Sequence, residues 1–230
     1  MMKENTKAFL FDLNGTIIDD MHYHAEAWHQ ILTKDLGADL TWDEVKVQMY
    51  GKNREVLNRI FGEDHFSDEK ADKLSVKKEK YYQEAYKPHL KLINGLHSFL
   101  AEAAAHNVKM AIASAAIADN IDFIVDNLDI RQYFDALVSA DDVENSKPDP
   151  ETFLIAAEKL QFDPADCIVF EDAPKGVEAA QNAGMKCIVI TTAHPKEDFE
   201  QYDNVIGYIK DYEDALTKNF FQKHTEAPQK

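Results

Sequence analysis

Short apolar runs that end in small or acidic residues recur along the chain: AFLFD (8–12), VKMAIAS (108–114), DALVS (135–139), CIVFE (167–171) and KCIVI (186–190). Each is continuous rather than alternating, rich in β-branched or aromatic residues, and flanked by a segment of helical pattern. Strands that are apolar on both faces belong to a parallel sheet covered by helices on either side. The spacing predicts connecting helices at 97–106, 121–130, 150–160 and 174–184, the last stopped by Gly184.

From about Met21 to Pro88 the texture changes: the pattern is helical nearly throughout, charges are many, and strand-like runs are few. The chain is therefore expected to make one strand, leave for an all-helical insert, and return near Pro88 and Gly95 to complete the sheet. This predicts an α/β core from residues 1–18 and 92–230, with a helical domain at 19–91 between its first two strands. A short tail should precede the first strand, and a helix from Thr217 should run into a loose C-terminal tail.

Composition narrows the function classes. The 230 residues suit one α/β domain with a small insert. A formal net charge of −17 disfavours nucleic acid, whose binding rests on Lys and Arg against phosphates. It also repels small anions unless a local cation compensates, which directs attention to the few well-placed lysines. No window approaches the roughly 18 apolar residues of a membrane span, and MMKENTKAFLFD lacks the apolar stretch of a secretory signal. A cytoplasmic monomer is expected, with Cys167 and Cys187 as buried free thiols at the heads of apolar runs.

In open parallel sheets, ligands bind at the carboxyl ends of the strands. The residues that fall there are Asp12, Ser114, Lys147 and the pair Glu171–Asp172. Clustered carboxylates suit a hard cation such as Mg²⁺, which prefers oxygen ligands and tolerates a phosphate among them. A hydroxyl and an ammonium would hold phosphate oxygens, and a carboxylate attacking phosphorus gives an acyl phosphate. Glu26-x-x-His29 matches half of a di-iron motif, but no second copy exists, and neither a dinucleotide nor a P-loop fingerprint is found.

The run FDLNGT (11–16) resembles the first motif of the haloacid dehalogenase-like superfamily, whose phosphatases usually carry DxDGT. Ser114 closes a strand as the second motif requires, Lys147 in SKPDP resembles the third, and EDAPKGVEAAQNAG (171–184) resembles the fourth. With the insert resembling a C1 helical cap, the chain is most similar to the β-phosphoglucomutase-like branch. That resemblance implies a Rossmannoid core and a Mg²⁺-dependent enzyme acting on a small phosphorylated metabolite. Asp12 becomes the nucleophile and a metal ligand, joined by Asp172, Glu171 and the backbone carbonyl of Asn14. Ser114, the backbone at Ala115 and Lys147 become the phosphoryl holders. On the insert, His24 in HYHAEAW, Gly51 and Arg54 in GKNRE, and Lys77 in KKEK resemble substrate-side or acid/base-positioning residues, with a slip from Lys77 to Lys78 left open.

Two departures qualify the resemblance. The family phosphatases carry an Asp two places after the nucleophile to protonate the leaving oxygen and then activate water; here Asn14 stands there, and an amide cannot shuttle a proton. A deliberate Asp→Asn exchange, another proton carrier and a slow enzyme all stay open, and a substrate with a good leaving group would need less acid help. After Ser114 the chain continues Ala115, Ala116, Ile117, Ala118, without the polar run of the mutases, which favours phosphatase over phosphomutase. Pyrophosphatase-like hydrolysis and a catalytically impaired phosphate-binding member remain as alternatives. A receiver-type signalling domain would be about half as long, and a dehalogenase would leave Asp172 idle.

Overall fold

The computed structural model describes residues 8–221. Its core is a six-stranded parallel sheet of order β3-β2-β1-β4-β5-β6: β1 Ala8–Phe11, β2 Lys109–Ala113, β3 Ala136–Val138, β4 Cys167–Glu171, β5 Lys186–Ile190 and β6 Val205–Ile209. The five expected strands are present. β6 was not expected from the sequence, because this edge strand is only half covered and carries Gly207, so it lacks a continuous apolar run.

The side chains of β1 alternate between faces, as the pleat dictates. Phe9 and Phe11 enter one core layer with Phe99, Ile112, Phe170 and Tyr212, where the Phe11 and Phe170 rings stack with centroids 4.7 Å apart. Ala8 and Leu10 enter the other with Phe153, Val169, Val177 and Val189. Burial on both faces explains why the strands read as unbroken apolar runs.

Helices α5 Leu96–Ala105, α6 Ala118–Asn127, α7 Glu151–Leu160 and α8 Pro174–Asn182 form the crossovers, within a few residues of the expected bounds. The insert supplies α1 Met21–His29, which runs on as a π-helical stretch Gln30–Asp35, then α2 Trp42–Val47, α3 Asn53–Phe61 and α4 Asp68–Tyr86. Thr41 caps α2 through a reciprocal bond pair with Glu44, and Ser67 caps α4. The insert has its own apolar cluster of Trp28, Ile31, Leu32, Val45, Val56, Leu57 and Leu74. Where the chain leaves and returns, Ile18 and Leu92 meet in a single antiparallel bridge.

The C-terminal helix is one turn, α9 Ala215–Lys218, and the two expected tails lie outside the described residues. Both cysteines are buried and free, and no described helix is long and apolar enough to cross a membrane.

Candidate active site

The strand order reverses at β1 and β4, and the loops that leave their carboxyl ends diverge there to open a crevice. Asp12 follows β1 directly, its N–H donating to the Phe170 carbonyl at 3.0 Å, so the ladder itself fixes its position. Glu171 ends β4 and Asp172 follows it. Each of the three carboxylates offers an oxygen within 4.8 Å of the others, and all three residues are buried.

Glu171 is tied down from behind. Its Oε2 accepts the N–H groups of Asp172 and Ala173 at 2.8 and 2.9 Å, at the start of α8, where the helix dipole favours negative charge. Gly176 on the first turn of α8 leaves it room: a Cβ there would lie 1.7 Å from Glu171 Oε1. Gly15 does the same for Asp172, at a φ of +76° and with a would-be Cβ 1.9 Å from Asp172 Oδ2. The Gly15 carbonyl accepts from Thr192 Oγ1 at 2.6 Å, and the Thr16 carbonyl from the Tyr212 hydroxyl at 3.2 Å, which pins the loop.

Lys147 reaches in from the loop that follows β3. Its Nζ donates to Asp12 Oδ1 at 2.7 Å, Glu171 Oε1 at 2.8 Å and the Ala113 carbonyl at 3.2 Å. One ammonium does not balance three buried acids. Burial, against the pull of Lys147 and with the push of Glu171, raises the Asp12 carboxyl to about 7. Burial and the charges of Glu171 and Asp12 hold Asp172 well above the usual range. Burial opposes the charge on Lys147, but Asp12 and Glu171 outweigh it and hold the ammonium protonated. The surplus of carboxylate oxygens in a small space fits a hard divalent cation, which would relieve the repulsion that raises both aspartates. Ser114 is buried at the end of β2, its Oγ accepting from the Ala116 N–H at 3.1 Å, and Ala115 beside it is exposed.

A second polar group lies where the insert leaves the core. Asn14 is half-buried, and its Nδ2 donates to Asp20 Oδ2 at 2.7 Å and lies 3.1 Å from His24 Nε2. Tyr82 donates its hydroxyl to the same Asp20 oxygen, and its ring stacks on His24 with centroids 3.8 Å apart. Lys78 Nζ lies 2.7 Å from His24 Nδ1 and donates to both oxygens of Glu79. Glu79 in turn accepts from Asn53 at 2.6 Å and from Asn120 of α6 at 2.8 Å, which joins insert to core. Burial depresses the Lys78 ammonium against the pull of Glu79.

This geometry separates the two lysines that the sequence left open. Lys77 is exposed on the outer face of α4 and pairs with Asp35 at 2.8 Å; one residue on, the helix turns Lys78 inward to His24. Arg54 is half-exposed and pairs with Asp68 of the insert, away from the acids. Gly51 lies at a φ of +75° in the loop before α3, which abuts the Lys147 loop: Ser146 donates to Glu55 at 2.7 Å, and Lys52 Nζ to the Val143 carbonyl at 2.5 Å. In the same loop the Tyr50 ring lies between the Arg59 guanidinium, 3.6 Å away, and the Lys175 ammonium of α8, 3.5 Å away. Asp20 and Tyr82 were not singled out from the sequence, and Lys78 entered only as the one-residue slip from Lys77. Their signal was there as spacing, since Asp20 and His24, and Lys78 and Tyr82, are each four apart and share a helix face.

Comparison with known proteins agrees with this arrangement. A family model described as haloacid dehalogenase-like hydrolase matches residues 9–190. The chain is 30% identical over 200 residues to validoxylamine A 7'-phosphate phosphatase of Streptomyces hygroscopicus, covering 86% of this chain and 91% of that protein. It is 32% identical to the β-phosphoglucomutase of Bacillus subtilis over 82% of this chain and 85% of the other. Among solved structures, β-phosphoglucomutase from Clostridium difficile superposes with a TM-score of 0.77 at 28% identity, covering 90% of this chain and 91% of that one. Four motifs in order, the parallel sheet that carries them and a match over most of the length place the chain in the haloacid dehalogenase-like hydrolase family.

Proposed function

We propose that the protein is a phosphatase of small phosphate monoesters, sugar phosphates in the first place, working through a phosphorylated Asp12. The observation that carries this reading is Lys147, which bridges Asp12 and Glu171 beside Asp172 and so provides charge for a phosphoryl group where a carboxylate can attack it. Asp12 Oδ attacks phosphorus; Lys147, the Ser114 hydroxyl and the backbone at Ala115 hold the phosphoryl oxygens. Asp12, Asp172, Glu171 and the Asn14 carbonyl are the residues that would hold Mg²⁺. When bound, the ion supplies the positive charge that lets an anionic ester approach an anionic nucleophile.

The insert, residues 19–91, is read as a cap domain that shuts the crevice against water. The Gly51 loop and His24, with Lys78 in place of Lys77, form its side of the site, and Arg54 becomes a substrate contact only by leaving Asp68. Named relatives that are phosphatases of validoxylamine A 7'-phosphate and fructose 1-phosphate support a phosphorylated carbohydrate as substrate. The run Ala115-Ala116-Ile117-Ala118 offers no polar side chain to the substrate, which disfavours the phosphomutase alternative.

The test is phosphate release from a panel of sugar phosphates with Mg²⁺. The parent chain should release phosphate, and Asp12→Asn should not. Retention of more than roughly a few per cent of the parent rate would sink the assignment, since nucleophile loss in such enzymes removes far more than that.

A further inference from the structure

The Lys147 ammonium that faces three buried acids hangs from the loop between β3 and α7, and what fixes that loop decides where the ammonium stands. Several of its ties come from the core. The Glu144 and Asn145 N–H groups donate to the Glu151 carboxylate at 2.9 and 2.8 Å, and the Pro148 carbonyl accepts from Asn182 at 3.0 Å. Between those anchors lie Ser146 and Lys147. The Ser146 hydroxyl donates to Glu55 Oε1 of the insert at 2.7 Å. The Val143 carbonyl, at the head of the same loop, accepts from Lys52 Nζ at 2.5 Å. Among the described residues these two are the hydrogen bonds that join the insert to residues 143–147.

The insert is shaped for this contact. Glu55 lies in the first turn of α3, and its Oε2 accepts the Lys52 N–H at 3.3 Å. The carboxylate thus caps its own helix with one oxygen and holds the core with the other. Gly51 makes way for it: at a φ of +75° a Cβ there would lie 1.9 Å from Glu55 Oε2 and 3.6 Å from Ser146 Oγ. A hydroxyl that donates to a carboxylate makes one of the stronger hydrogen bonds, and both partners here are half-buried. Beside Gly51 the Tyr50 ring, stacked on Arg59, meets Lys175 of α8 at 3.5 Å, a further contact at the same seam.

We propose that Glu55 and Ser146 are positioning residues for Lys147, through which the seated insert fixes the ammonium that holds the phosphoryl group. The proposal rests on the phosphatase reading. Lys147 reaches Asp12 and Glu171 at 2.7 and 2.8 Å with its side chain 9% exposed, so it has little slack. A shift of the Ser146 backbone passes directly to the next residue, and a misplacement of about 1 Å in such a site costs up to roughly a hundredfold in rate. With the insert lifted, Ser146 loses its acceptor and the loop keeps its core anchors alone. The phosphoryl-holding geometry is then completed only when the insert is seated, which couples enclosure of the substrate to its chemistry.

Steady-state turnover of glucose 6-phosphate and acetyl phosphate, and calorimetric binding of orthovanadate with Mg²⁺, test this on the full chain. Acetyl phosphate carries almost nothing beyond the phosphoryl group for the insert to grip. Ser146→Ala should lower kcat on both substrates by about tenfold to a hundredfold and leave KM within about threefold. Ser146→Thr, which keeps the hydroxyl, should retain most of the parent kcat. In vanadate binding, Ser146→Ala should cost about tenfold beside Lys147 and less than about twofold in a Lys147→Arg background, the non-additivity of an effect carried by the lysine. Glu55→Ala should repeat the kcat loss from the insert's side, and it serves alone if Ser146→Ala does not fold by circular dichroism.

A folded Ser146→Ala or Glu55→Ala enzyme within about twofold of the parent kcat on both substrates, too little for a displaced lysine, overturns the proposal. So does a loss confined to KM for glucose 6-phosphate, which makes the seam a closure contact only, and so does equal weakening of vanadate binding in both backgrounds. Each of these leaves the phosphatase reading standing. A parent that binds vanadate but releases no phosphate from either substrate brings down that reading, and this proposal with it.

Discussion

The Asp12–Lys147–Glu171–Asp172 group and the Asn14–Asp20–His24–Tyr82–Lys78 group flank the same loop, yet they handle charge differently. In the first, side chains hang from strand ends that the sheet register holds, and one ammonium faces three buried carboxylates. The surplus negative charge is tolerated because the strands leave it no way to relax, and on the function proposed above it is what would make the place receptive to a cation and a phosphoryl group. In the second, side chains come from helix faces, and nearly every polar atom is matched: Glu79 by Lys78, Asn53 and Asn120, and Asp20 Oδ2 by Asn14 and Tyr82. Asp20 Oδ1 is the exception. The first group is strained by charge and held by covalent scaffold; the second is balanced and held by its own bonds.

The sharpest way to break that contrast is to remove the one cation of the first group. Lys147→Met leaves Asp12 and Glu171 buried without their shared partner, and loss of one member of a buried pair costs about 3–5 kcal/mol. Urea unfolding of the metal-free variant should show a drop of that order, and phosphate release should vanish. A variant as stable as the parent would mean that the acids are not ionised beside Lys147.

Next in size is the cation that the acids would hold. Mg²⁺ at about a hundred times its Kd should stabilise the parent by about 2.7 kcal/mol, and Asp172→Asn should remove most of that shift; an equal shift in both would place the ion elsewhere. The same imbalance fixes a pH dependence. Asp12 is raised from 3.8 to about 7 in the fold, so between those values the folded chain binds more protons than the unfolded one. Its contribution is then fully present below 3.8 and is lost as pH rises through about 7. Metal-free protein should lose unfolding free energy across that window, and saturating Mg²⁺ should flatten the slope. A rise with pH in the metal-free state would contradict the burial argument for Asp12.

The two groups were also unequally legible in the sequence. Asp12, Ser114 and Glu171–Asp172 each terminate an apolar run, and Lys147 follows one closely, so strand recognition alone brings them to one sheet edge. The helical group gives no such cue. Lys78 sits in KKEK, where only the phase of α4 decides which lysine is inside, and a one-residue error of 100° or so turns an inward side chain outward. Asp20 precedes α1 as the second of two aspartates, of which Asp19 is exposed, and nothing local separates them. The edge strand β6 escaped for a related reason, since half-buried residues around Gly207 carry no continuous pattern.

Smaller effects probe the balanced group. Tyr82→Phe keeps the ring against His24 and removes only the hydroxyl that donates to Asp20. Loss of a hydrogen bond to a charged acceptor costs about 1–3 kcal/mol, to be read from denaturant midpoints at constant slope. If the change falls below that range, Asp20 draws its stability from Asn14 and His24 instead. Lys78→Met should lower stability less than Lys147→Met, because Glu79 keeps the donors Asn53 and Asn120, whereas among the described residues Lys147 alone donates to the Asp12 carboxylate.

The smallest effect carries the most specific claim about phase. Lys77→Met removes an ammonium that is 47% exposed and paired with Asp35 on the outer surface of α4, where water screens the pair and surface ion pairs contribute little. Neither kcat/KM on sugar phosphates nor the unfolding midpoint should change measurably. The neighbouring Lys78→Met should change both, since its Nζ faces His24 and Glu79. The two variants differ by one position and by the same chemical change, so their contrast isolates which way the helix turns its side chains. Equal activity losses in both would mean that Lys77 reaches the substrate when the insert moves, and that the outward lysine of this structure is the inward one during turnover.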